Sequence, residues 1–250
     1  MMQILIGFVI ALCVGLTGVG GGSFTAPALV LIAGLSGAEA VGTALVYSMV
    51  VRVAAAPFYV AGKHVHFRYL WLMLLGALPG LLAGTYLLAT LNTKRWNHVV
   101  LVMIGVTLIC SSVLTFIYRK AGRSKQQRNG FWLPWFTFPI GMETGFSSAG
   151  AGALGTILLF NYSDMPPSRV VGTDLLFGIA LAAGGTLFHF SYGSISTSSL
   201  KELLIGGIPG VLLGCILAPR VPSIRLRPVI IGLTFILGLQ LVWNGVRIWP

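Results

Sequence analysis

Apolar residues run along this chain in long blocks, parted by short polar or glycine-rich stretches. A hydrocarbon core of about 30 Å takes roughly 20 helical residues to cross. Six blocks meet that length, at 38–60, 67–90, 96–118, 168–190, 200–219 and 227–249. Two others do not. Residues 3–16 are apolar, Thr17 to Gly22 interrupt with TGVGGG, and 24–34 are apolar again. Residues 131–146 and 153–162 are parted in the same way by Ser147 to Gly152, SSAGAG. Glycine clusters break helices, and each half is too short to span. The pattern predicts two broken or re-entrant helical hairpins, 3–34 and 131–162, whose tips reach membrane depth. Exposed backbone there is tolerated only against protein or a polar cavity.

The two interrupted blocks belong to a larger duplication. A shift of 130 residues superposes the halves without a gap, with about 16 identities over the 70 positions of 15–84. Gly15, Gly20 and Gly22 fall on Gly145, Gly150 and Gly152, and Val41-Gly42-Thr43 falls on Val171-Gly172-Thr173. Gly76, Pro79, Gly80 and Gly84 fall on Gly206, Pro209, Gly210 and Gly214. Internal repeats with broken helices in matched positions are the mark of secondary transporters. The GxxxGxxxG runs put glycines on one helix face, where a second backbone can approach.

Composition narrows the class. Hydrophobic residues make up 56% and charged residues only 8% of the 250. Soluble domains carry roughly 25% charged residues, so an ordinary soluble enzyme, a disordered chain and a nucleic-acid reader are excluded. The expected class is an all-α polytopic membrane protein in the cytoplasmic (inner) membrane, with the bilayer as partner and no nucleic acid. The N-terminus lacks a basic n-region and reads as part of the mature protein, not a signal peptide. Cys13, Cys110 and Cys215 form no CxxC pair, so no disulfide framework or zinc site is expected. His64-Val65-His66 has no nearby carboxylate or Cys, so no metal or cofactor is expected.

The net charge of +11 comes from 16 Lys+Arg against 5 Asp+Glu. Basic residues mark cytoplasmic loops. If the interrupted blocks cross once, the linker side collects 9 basic residues and the other side 6; if they turn back, the division is 11 against 4. The second arrangement obeys the rule better. It gives three full spans per copy, so the copies are inverted. The expected organisation is a first repeat over 1–118, a basic cytoplasmic linker over 119–130 and a second repeat over 131–250, with both termini outside.

Candidate chemistry follows from that arrangement. The half-helices after the glycine clusters begin near Ser23 and Ala153, and their N-termini offer free N–H groups and positive dipole ends. Two such ends would hold an oxyanion. Gly20, Gly21, Gly22, Gly150 and Gly152 would let backbone approach it, and Ser23, Thr25, Ser147 and Ser148 would add hydroxyl donors. Thr43 and Thr173, each after a mid-helix glycine, are further ligand candidates, though membrane threonines commonly bond their own helix. Arg52 is a charge inside a span, a costly and usually functional feature. It is a countercharge for substrate, a partner of Asp174 or Glu143, or a snorkelling side chain. Glu143, Asp174 and His189 are candidates for coupling H+ or Na+. The first two could equally neutralise Arg52, and a lone His on an apolar helix is more often hydrogen-bonded structure.

The motif G-x-x-G-V-G-G-G-S-x-x-x-P at Gly15 to Pro27 resembles the sulfite exporter TauE/SafE family. So do A-V-G-T-A-L at Ala40 to Leu45, its echo V-V-G-T-D-L at Val170 to Leu175, and the late G-x-x-P-G-x-x-x-G runs. The second copy departs at Ser147 to Gly152 and at Ile157, which replaces Pro27. The resemblance implies transport of a small sulfur-containing or organic anion, such as sulfite, a sulfonate or sulfoacetate. Together with the repeats it makes alternating access the expected mechanism. An anion channel and, further off, a membrane-embedded enzyme are the competing classes. No nucleotide-binding P-loop is present. The small unit and the paired glycine faces favour a homodimer.

Overall fold

The computed structural model describes residues 1–17, 21–60, 65–91, 96–120, 132–163, 165–191, 195–218, 220 and 223–247. Among them are ten helices and no strand. The first copy holds α1 (Met2–Thr17), α2 (Gly22–Ala33), α3 (Gly37–Val60), α4 (Phe67–Leu91) and α5 (Asn97–Lys120). The second holds α6 (Leu133–Ser147), α7 (Ala153–Tyr162), α8 (Pro167–Ser191), α9 (Thr197–Leu217) and α10 (Ser223–Arg247). Six of them, α3, α4, α5, α8, α9 and α10, are long and apolar enough to cross a membrane. The other four have 16, 12, 15 and 10 residues. At about 1.5 Å per residue none reaches across a 30 Å core.

Lipid, not water, is the medium these helices suit. On α4 the buried face is Leu70, Met73, Leu74, Ala77, Leu81 and Leu88, while Trp71, Leu75 and Tyr86 stand about two-thirds exposed on the other. Large exposed apolar residues recur on α5, α9 and α10. A helix apolar on all sides belongs in a bilayer or a buried core, and this surface is too extensive for water.

Each copy's hairpin packs on the other copy. Gly76, Gly80 and Gly84 of α4 abut the carbonyls of Pro134, Phe138 and Met142 on α6 so closely that a methyl group at any of them would collide. Gly206, Gly210 and Gly214 of α9 abut Ile4, Phe8 and Leu12 of α1 in the same way. The facing glycines answer, Gly141 against Ala77 and Gly7 against Leu203. Both pairs run parallel, with backbones in contact as small-residue faces allow. The glycine faces that favoured a homodimer are thus buried within one chain.

The equivalent helices α3 and α8 run antiparallel. Arg52 meets Gly178 and Leu45 meets Gly185, which centres their crossing near Val50 and Ala180. Two bonds at the ends of the pair repeat the relation. The His66 N–H donates to Thr173 Oγ1 at 3.0 Å, and the Ser196 N–H donates to Thr43 Oγ1 at 3.0 Å. The equivalent helices α5 and α10 are also antiparallel, with Gly105 on Gly238 and Gly245 on Val102. Equivalents related in this way are turned over with respect to one another, so the repeats are inverted. The Thr43–Ser196 bond sets the first turns of α3 beside the start of α9, and α1 begins there too, parallel to α9. Since α2 ends just before α3 begins, the α1–α2 pair enters and leaves on one side. It is a re-entrant hairpin, and the inverted symmetry makes α6–α7 its counterpart from the other side.

The core follows the same symmetry. One apolar cluster joins α1, α2 and α3 to α9, and a second joins α6, α7 and α8 to α4. A third lies between them, on α3, α4 and α5 with the two hairpins.

Candidate functional site

The two hairpin tips meet inside the protein. Ser148 Oγ donates to the Gly22 carbonyl at 2.9 Å, and Ser23 Oγ donates to the Ala149 carbonyl at 3.3 Å. Gly22 lies directly under the Ser148 carbonyl, leaving no room for a side chain. The tip of the first hairpin holds itself together through Gly21, whose carbonyl accepts Thr25 Oγ1 at 2.9 Å and the N–H groups of Phe24 and Thr25 at 3.1 Å. Gly20 lies outside the described residues.

The second tip is a turn with two residues at positive φ. Ser148 has φ 63° and Gly152 φ 117°. The first is a left-handed conformation that costs a non-glycine residue roughly 1–2 kcal/mol, and the second is open to glycine alone. Ser148 ends α6, its N–H bonded to Thr144 at 2.9 Å. Gly150 folds back over the Ile140 carbonyl, and Ser147 Oγ bonds the Glu143 carbonyl of its own helix at 2.9 Å. Ser147 therefore gives its hydroxyl to α6, whereas Ser148 and Ser23 reach across the tips.

Arg52 closes the centre. It is 3% exposed and does not snorkel. Its guanidinium lies flat over Gly178 of α8, and one amino group donates to the Ala151 carbonyl at the second tip, at 2.8 Å. It interacts electrostatically with Asp174, one turn before Gly178. Asp174 Oδ2 in turn accepts Thr156 Oγ1 at 2.8 Å, and Oδ1 lies over Gly155, the other residue of α7 that faces it. A charge taken into a low-dielectric interior needs compensation, and Arg52 finds a carboxylate and a carbonyl on the other copy. Gly155, Thr156 and Gly178 were not singled out from sequence. Their signal was position, since Gly178 stands four residues after Asp174, on the same helix face.

The remaining candidates lie off this centre. Thr43 and Thr173 sit at opposite ends of the α3–α8 pair, where each accepts a loop N–H. His189 Nε2 donates to the Gly145 carbonyl at 3.3 Å, and Tyr59, its equivalent, donates to the Gly15 carbonyl at 2.6 Å. Glu143 lies on α6 before the tip and faces Ser111 of α5. His66 packs against Tyr69 with the rings tilted by 57°, and His64 lies outside the described residues.

The family model for Sulfite exporter TauE/SafE matches residues 3–241. The chain belongs to the sulfite exporter TauE/SafE family. Within the reach of this TauE/SafE match lie both tips, five of the six long helices and most of α10. Relatives agree over nearly full length. The chain is 29% identical to the probable membrane transporter protein YjnA of Bacillus subtilis, over 96% of this chain and 98% of that one. It is 26% identical to the probable membrane transporter protein YdhB of the same organism, over 97% and 100%. With YfcA of Escherichia coli K12, also a probable membrane transporter protein, identity is 21% over 90% and 83%. No solved structure matches the chain. This TauE/SafE protein is thus a multi-pass membrane transporter rather than an enzyme.

Proposed function

We propose that the protein is a secondary carrier of a small sulfur-containing or organic anion, with its site between the hairpin tips. The observation that carries this reading is the meeting of Ser23 and Ser148 across the tips, with the buried Arg52 guanidinium anchored beside them at Ala151. Parting the tips frees two hydroxyl donors and the N-terminus of α2. These stand near a guanidinium whose bond to Ala151 is exchangeable for one to substrate. Donors of this kind fit the oxygens of sulfite, a sulfonate or a carboxylate. The residues are nine-tenths or more buried with the tips closed, and inverted repeats provide two equivalent ways of opening them. Alternating access follows, driven by H+ or Na+.

The basic linker 119–130 faces the cytoplasm in this reading and both termini face outward, in the cytoplasmic membrane. A reporter fused to the C-terminus should therefore be active outside, and cytoplasmic activity would overturn the orientation. For the carrier itself, labelled sulfite, a sulfonate and a carboxylate are offered to proteoliposomes. Saturable, cation-driven uptake of at least one is expected. An ohmic current without saturation would assign a channel instead.

A further inference from the structure

The three titratable side chains first considered for coupling are not equally engaged. Asp174 accepts Thr156 and faces Arg52, and His189 holds the Gly145 carbonyl. Glu143 meets one hydroxyl, that of Ser111, and its Oε1 is shut away without a hydrogen-bond partner. On α5 the hydroxyls of Ser112 and Thr115 are also buried, at 4% and 8% exposure, and without partners. With Ser111 they share an arc of about 100° on that helix.

The symmetry-related place, where α1 meets α10, has nothing comparable. At the positions equivalent to Glu143, Ser111, Ser112 and Thr115 stand Cys13, Leu241, Val242 and Gly245. The fold therefore does not require oxygen here, since the same helix contacts are made without it. A carboxylate at membrane depth that meets a single hydroxyl is costly, and a small cation would neutralise it. The neighbouring elements leave that role open. Of the charged and titratable groups around α6, Arg52 on α3 is held at Ala151 and Asp174, and His189 on α8 is held at Gly145. On α4 the exposed Arg68 stands at the helix start, on α5 His98 stands thirteen residues before Ser111 and Cys110 is exposed, and α2 and α7 carry no Asp, Glu, Lys, Arg or His.

We propose that Glu143, with Ser111 and the adjoining hydroxyls of α5, forms a monovalent-cation site that is built from both copies, has no symmetry-related counterpart, and couples the transport cycle. The inference rests on the carrier reading. A proton would sit on Oε1; Na+ would bridge the carboxylate and the α5 hydroxyls. Because the site joins α6 to α5, its occupation changes the hold on the second hairpin.

The test needs no anion substrate. The full chain in detergent is melted in NaCl against choline chloride, and separately from mildly acidic to mildly alkaline pH. A binder of the folded state raises Tm by mass action. A Tm shift with Na+ identifies sodium, and one with pH at fixed Na+ identifies the proton. Either shift should vanish in Glu143→Gln and return in Glu143→Asp. If Glu143→Gln fails to fold, the Ser111→Ala/Thr115→Val variant should weaken the shift. Equal responses in wild type and Glu143→Gln would overturn the site. A Glu143-dependent shift in a protein that moves none of the three anions would support the cation site and overturn the anion reading.

Discussion

Tyr59 and His189 occupy the same place in the two copies and perform the same task, each holding a glycine carbonyl in the first helix of its own hairpin. Arg52 and Ala182 also occupy the same place, and there the copies differ: one carries a buried guanidinium, the other a methyl group. Asp174 stands against Ala44 and Glu143 against Cys13 in the same way. What repeats in this molecule is architecture. What does not repeat is charge. The contrast has a physical basis, because an inverted repeat must conserve backbone contacts twice, whereas one buried charge near the axis serves both halves.

The largest effects should therefore follow changes that make the copies alike in charge. Arg52→Gln is expected to abolish uptake and to destabilise, since Asp174 then loses its charged partner. Breaking a buried pair from one side costs about 3–5 kcal/mol. Arg52→Gln/Asp174→Asn should recover much of the Tm but not the transport. Recovery of transport by the double variant would show the pair to be structural, and the contrast between copies would lose its functional meaning.

Gly178→Ala comes next. A methyl group there would fall on the guanidinium of Arg52 and displace it from Ala151. Uptake should fall at least tenfold, equivalent to about 1.4 kcal/mol. Ser48→Ala, at the equivalent place in the first copy, should leave uptake near wild type. A similar loss in both variants would mean that tight packing at the crossing, not the seat of Arg52, is what matters.

The tips offer a smaller and more discriminating change. Ser148→Gly relieves a left-handed residue and removes a hydroxyl, whereas Ser148→Ala removes only the hydroxyl. If the hydroxyl contacts substrate, both variants should raise KM several-fold, though Ser148→Gly should be the more stable by roughly 1 kcal/mol. Equal KM values in wild type and both variants would leave Ser148 as a cap alone.

Much of this contrast could be read before the fold. Block length and glycine interruption told spans from hairpins, because membrane thickness sets a length and glycine clusters set a break. Superposing the halves exposed Arg52, Glu143 and Asp174 as residues without counterparts. Partners could not be read, since Arg52 bonds a carbonyl 99 residues away and the tips meet across 126. Thr43 and Thr173 show the complement. Repetition made them conspicuous, and each serves a repeated loop contact.

The smallest expected effect tests the rule most directly. If repeated positions are architectural, exchanging their residues should matter little provided the bond survives. His189→Tyr places a hydroxyl donor where the first copy already uses one, on the Gly145 carbonyl. Tm should change by a few degrees at most, and uptake should stay within about twofold, or 0.4 kcal/mol. His189→Phe removes the donor and leaves a buried carbonyl short of a partner, a loss of about 1 kcal/mol. Its Tm should fall below that of His189→Tyr, with uptake following stability. A sharp loss of uptake in His189→Tyr at unchanged Tm would make His189 a functional imidazole, and the division between repeated structure and unrepeated chemistry would fail at that position.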